Sequence, residues 1–203
     1  LEAFIREVLE QPELTPELFA FIKADRGSTK FFCGKIIRIV SERRPDLLYP
    51  YFDEVAALAD SPNSFIKWGA IATLANLAAV DAENKFASIY GKYFGLIESE
   101  AMVTAANVVG NAWKIILNKP EHEQDITKRQ LRIPKNTYLY KGEPSPECRN
   151  ILCGHALDCF SKYFELAHDK NGILAFAFEQ THNPRKQVAK KAAAFLKKHR
   201  PQE

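Results

Sequence analysis

The sequence predicts an all-α fold, and three observations carry that expectation. Apolar residues recur at helical spacing, as in Phe19 and Ile22 and then Ile36, Ile39 and Val40. No segment sustains the apolar and polar alternation of a half-buried strand. Breakers at "DRGS", "ERRPD", "ADSPNS", "VDAEN", "NKPE", "HDKNG" and "THNPRK" cut the chain into stretches of about 11 to 20 residues, the usual range for globular helices.

Taken in order, the opening "LEAFIREVLE" shows helical spacing and lacks the basic region and cleavage site of a signal peptide. The helices that follow come in pairs: 15–26 with 29–44, 46–60 with 64–79, and 83–100 with 101–118. After an insertion at about 118–147 come a helix over 147–166 and the pair 168–181 and 184–200. Laid over one another at a small residue, the second helices align Gly34, Gly69, Ala105, Gly154 and Lys190, at spacings of 35, 36, 49 and 36. The long spacing is one period with about 13 residues inserted, and a fixed period of this size signals a helical solenoid. Within the insertion, which holds four prolines and two tyrosines, a short helix near 121–131 and then a long loop are expected. Loops of this length are either binding elements or surface connections.

In "DSPNSFIKWGAIATLANLA" a polar turn precedes a helix that is apolar nearly all round, as expected where other helices flank it on both sides. Gly69, Ala70, Ala72 and Ala75 then mark a close inter-helix approach, and Trp68 fills a gap between layers rather than serving a ligand.

With 46% hydrophobic and 26% charged residues and nine glycines among 203, the chain has the composition of a single globular domain spanning 1–203. The longest mainly apolar run, Trp68 to Val80, is broken by Thr73 and Asn76 and is shorter than the roughly 20 residues that cross a bilayer. A cytoplasmic protein with no membrane partner is the expectation. Cys33, Cys148, Cys153 and Cys159 form no close paired framework, which suits reduced thiols.

The segment "LLYPYFDEVAALADSPNSFIKWGAIATLANLA" resembles a HEAT repeat. Pro50 lies within the first helix, Asp60 ends it, Ile66 and Lys67 open the second, and small residues follow. "GILAFAFEQTHNPRKQVAKKAAAFLKKH" is similar to the same template, and armadillo repeats are similar enough that the two are not separated here. The resemblance implies a right-handed superhelix of about five helix pairs whose second helices line a concave binding face. It implies no chemistry.

The clusters that could suggest catalysis or metal binding read better as structure. In "CRNILCGHALDC" one helical face carries Cys148, His155 and Cys159, but at 1.5 Å per residue Cys148 stands about 10 Å along the axis from His155. Only His155 and Cys159 could share an ion, against the four ligands of a structural zinc site. "EHE" at 121–123 is similar to the metal-binding pairs of deoxyhypusine hydroxylase, a HEAT-repeat enzyme family, but that family needs several pairs and this chain has one. No phosphate loop, zinc-protease motif or nucleophile elbow is present. No catalytic residue, metal or cofactor is therefore assigned. Asn76, Asn107 and Asn111 are amides within apolar helices, each needing a partner in the next layer or a place facing the groove.

Charge placement points outward. The five second helices carry 16 Lys and Arg against 4 Asp and Glu, whereas the first helices carry 5 against 11, a split that the net charge of +3 conceals. A face lined by second helices would be basic and would concentrate anionic partners. The expected function is a non-catalytic protein-interaction scaffold that binds a partner, here an acidic peptide or protein surface. Its candidate binding residues are Lys35, Arg38, Lys67, Asn76, Asn107, Asn111 and Lys114. The alternative is a nucleic-acid binder similar to the HEAT-like alkylpurine DNA glycosylases, for which Trp68, Trp113 and Asp158 would be the candidate aromatic and acidic groups.

Overall fold

A computed structural model describes residues 1–24 and 27–199. Elements appear in the order α1 (Glu2–Glu10), α2 (Thr15–Lys23), α3 (Thr29–Arg43), α4 (Pro45–Leu48), α5 (Phe52–Leu58), α6 (Ser64–Leu77), α7 (Phe86–Gly95), α8 (Met102–Asn118), α9 (Glu123–Leu131), β1 (Leu139–Tyr140), β2 (Glu143–Pro144), α10 (Pro146–Tyr163), α11 (Lys170–Gln180) and α12 (Lys186–His199). The all-α expectation holds, with one two-residue antiparallel hairpin, Leu139 opposite Pro144 and Tyr140 opposite Glu143, as the sheet among the described residues. No helix is long and apolar enough to cross a membrane among the described residues. The chain forms two compact units, Leu1–Gly91 and Lys92–Glu203, with the boundary inside α7.

In the first unit α2 packs on α3, α5 packs on α6, and α3 packs on α6, so second helix lies against second helix. Proline sets the starts and bends: Pro16 sits in the first turn of α2, Pro45 in that of α4, and Pro50 in the 3₁₀ turn between α4 and α5. Asn63 caps α6, its Oδ1 accepting from the Phe65 and Ile66 amides at 3.1 and 3.3 Å. Every residue of α6 from Ala70 to Leu77 is buried, which explains why that stretch is apolar all round. Its N-terminal turn is different, since Phe65 is 69% exposed. A buried Asp81 ties this unit's last connection together: its carboxylate accepts from the Tyr49 hydroxyl at 2.6 Å and from the Lys85 and Phe86 amides at 2.7 and 3.0 Å.

In the second unit α10 packs between α8 and α12, and α11 packs on α12. Ser145 and Pro146 start α10, the serine hydroxyl accepting from the Cys148 amide at 3.3 Å. The predicted short helix of the insertion is α9. Gln130 Nε2 donates to Cys159 Sγ at 3.4 Å, Thr127 Oγ1 and the Tyr163 hydroxyl bond at 2.7 Å, and α9 also packs on α8 and α11. Thus α9 is tied to α10 through these side-chain bonds.

The residues after α9 are anchored rather than loose. Tyr138 is buried and its hydroxyl donates to the Ile97 carbonyl at 2.8 Å, while the Leu139 amide donates to Glu100 O at 2.9 Å and the Ser145 amide to Tyr138 O at 2.8 Å. Only the hairpin tip stands free of the fold, with Tyr140 exposed and Lys141 and Gly142 at φ of 52° and 85°.

Candidate functional site

Four cysteines are free and buried. Burial raises the Cys153 and Cys159 thiols to about 12 and also raises Cys33, so they are poor nucleophiles and poor metal ligands. No group of three or more His, Cys, Asp and Glu side chains suited to a metal occurs among the described residues. His155 is half-buried, and its protonation is disfavoured first by desolvation and then by the nearby Lys191 charge.

The buried Glu123 carboxylate pairs with the exposed His168. Its Oε1 accepts from Thr127 Oγ1 at 2.8 Å, and its Oε2 accepts from the His168 amide at 3.3 Å and pairs with His168 Nδ1 at 2.7 Å. The Glu123 side chain is thus fully occupied holding α9 to the start of α11. With Thr127 donating to the carboxylate, the Tyr163 hydroxyl donates to Thr127 in turn. Such a satisfied chain rigidifies a core and offers no free base.

The three asparagines behave differently from one another. Asn76 Nδ2 donates to Ser41 Oγ at 2.9 Å, a bond between α6 and α3, and Ser41 itself donates to the Arg38 carbonyl at 2.7 Å. Asn76 therefore forms the expected bond between neighbouring pairs. Asn107 and Asn111 do not: each donates to the carbonyl four residues earlier in α8, at 2.8 and 2.9 Å, as Asn118 does to Lys114 O at 2.7 Å. The inter-pair ladder expected through α8 is corrected to a row of local back-bonds, because a half-exposed amide finds its own helix carbonyl before a neighbour.

The basic set also divides. Arg38 is paired with Glu42 one turn on, Nη1 to Oε1 at 2.6 Å, and Arg43, Arg44, Arg185 and Lys191 have carboxylate partners in Glu2, Asp46, Glu147 and Asp158. Lys114 lies over the half-buried Trp113 ring at 5.9 Å, with Lys162 over the same ring at 5.8 Å. Lys35 is exposed and Lys67 half-exposed, and neither has a carboxylate partner among the described residues. Both belong to the first unit, on the packed helices α3 and α6.

The same two helices carry a feature not expected from the sequence. The Phe31 and Phe65 rings meet edge to face at 5.8 Å, Phe65 meets Trp68 likewise at 5.4 Å, and Lys30 stands over Phe31 at 5.2 Å. Phe31 is 38% exposed. The signal was available: Phe31, Lys35 and Arg38 follow at i, i+4 and i+7, so an aromatic shares a helix face with two cations instead of with the core.

Gly69 requires a second correction. Nothing lies within 4 Å of where its Cβ would stand, so it marks open space and not a close helix contact. Close approach occurs elsewhere, at Gly34, where a Cβ would meet Ile66 Cδ1 at 3.5 Å, and at Gly154, where it would meet Val188 Cγ2 at 3.1 Å. Trp68 is partly exposed and packs edge to face on Phe65 at 5.4 Å. No family model, curated protein or solved structure matches the chain.

Proposed function

We propose that this chain is a non-catalytic protein-interaction module of HEAT-like helix pairs that takes an acidic peptide or protein surface on its second helices. Helix pairing in each unit supports the HEAT-like reading, with α3 stacked on α6 in one and α10 on α8 and α12 in the other. The observation that carries the binding function is the pair Lys35 and Lys67, accessible ammonium groups on adjacent helices with no counter-ion among the described residues. By contrast, the groups that could do chemistry are occupied: Glu123 within its network, Asp158 by Lys191, and the thiols by burial. Cations left without counter-ions on adjacent helices raise the local concentration of anionic partners.

Charge reversal tests this reading. The double variant Lys35→Glu/Lys67→Glu is expected to weaken binding of an acidic peptide, measured by fluorescence anisotropy at low salt, where attraction is least screened. Lys23→Glu on α2 serves as the control and is expected to leave binding unchanged. Duplex DNA is the discriminating probe, because phosphate binding falls with salt at a log-log slope of about 0.9 per contact. A steep salt dependence with DNA and none of the peptide's preference would favour the nucleic-acid alternative.

A further inference from the structure

The last turn of α12 ends on His199, whose side chain is only 4% exposed. Its imidazole lies between two rings, 4.3 Å from the Phe164 centroid and 4.6 Å from that of Phe195. Phe164 belongs to the 3₁₀ turn Phe164–Leu166 that follows α10, so the ring stack fastens the end of α12 to the end of α10. Polar contact is one-sided. Nδ1 faces Glu165 Oε1 at 3.5 Å, whereas Nε2 is buried and has no hydrogen-bond partner.

A neutral ring tolerates this setting and a charged one does not. Protonation turns Nε2 into a buried N–H donor that nothing accepts, and it holds a full charge out of water. The charges facing the ring do not offset that loss. Glu165 attracts an imidazolium, but its carboxylate is 80% exposed and is shared with Lys170 of α11, whose Nζ stands 3.9 Å from Oε2. Lys170 also stands over the Phe164 ring at 5.7 Å, and Lys198 is next in sequence, so two ammonium groups oppose a third cation. A helix C-terminus ordinarily favours positive charge, yet Lys197 and Lys198 already occupy this one. Burial first and the Lys198 charge second hold the imidazole below its ordinary range.

We propose that His199 is an acid-sensitive latch: its neutral ring pins the last turn of α12 against Phe164, and its protonation releases that turn. Release uncovers Phe164, Phe195 and Leu196, all buried in the closed form, and frees the end of the helix that packs on α10 and α11. The closed form resists the proton, and the open form takes it up near the ordinary imidazole value of about 6.5. The closed form is therefore favoured above that pH and loses ground as pH falls below it. One proton enters on opening, so each unit of pH in that window multiplies the open population by about ten, until the closed form is protonated too.

Hydrogen exchange of the full chain, read by mass spectrometry and corrected for the intrinsic pH dependence of exchange, tests the latch. The range needed runs from about one unit above to about one unit below pH 6.5. Amides at the C-terminal end of α12 are expected to lose protection as pH falls, by about tenfold per unit below that value. His199→Phe keeps a ring in the stack that cannot be charged, and it is expected to stay protected throughout. The same acid loss in that variant, or no loss in the parent, overturns the latch. Nuclear magnetic resonance titration of the His199 Hε1 signal in the parent depends on no variant being folded. A midpoint below about 6.5 is expected, and one at or above it overturns the proposal.

Discussion

Gly69 in α6 and Gly154 in α10 occupy equivalent places in the sequence pattern, yet their surroundings are opposite. At Gly154 the backbone is buried, a Cβ would crowd Val188 at 3.1 Å, and Lys191 of α12 donates to its carbonyl at 3.2 Å. At Gly69 a side chain would meet nothing within 4 Å. A small residue at the equivalent sequence position therefore stands in two different settings, admitting a neighbour in one helix and facing open space in the other.

The sharpest way to break this comparison is to put a large side chain at the closed site. Gly154→Leu is expected to lower stability by about 1–3 kcal/mol or more, because a well-packed contact must shift to admit the added carbons. Urea unfolding measures it, and an unchanged midpoint would mean that α10 and α12 are not in close contact there.

A smaller effect is expected on the closed side of α6, where Asn76 Nδ2 donates to Ser41 Oγ in a buried bond. Ser41→Ala removes that acceptor and is expected to reduce stability by about 1 kcal/mol, the usual scale for a buried donor deprived of its partner. Denaturant unfolding of Ser41→Ala beside Asn76→Ala and the double variant would show the coupling. Additive losses would deny the contact.

The smallest expected change has the opposite sign. Gly69→Ala is expected to raise stability by about 0.5–1 kcal/mol, since alanine is the better helix former and the site has room for it. A lower melting temperature would show that a neighbour crowds the site.

Period and breakers located the second helices to within a residue or two, as 29–44 against Thr29–Arg43 and 64–79 against Ser64–Leu77 show. Facing was harder to read. In α6 the residues from Ala70 onward are all buried, so apolar character there says nothing about which side of the preceding turn meets a neighbour. The role of α9 was hidden for another reason. Its buried face includes Glu123, Thr127 and Gln130, which pack through hydrogen bonds, so no apolar period marks it as a partner for α10. Among the candidate binding residues Lys35, Arg38 and Lys67 read alike in sequence, and only the pairing of Arg38 with Glu42 sets it apart.

The hairpin tip has a consequence for how the chain can lengthen. Its base is fastened by Tyr138, Leu139 and Ser145, whereas Lys141 and Gly142 turn in solvent with left-handed backbone. Residues added between those two would lengthen an exposed loop without moving any helix along its neighbour, and a longer loop raises closure entropy only slowly. This is the point at which a tag, an epitope or an entire folded domain could be spliced into the chain with least disturbance to the helix pairs.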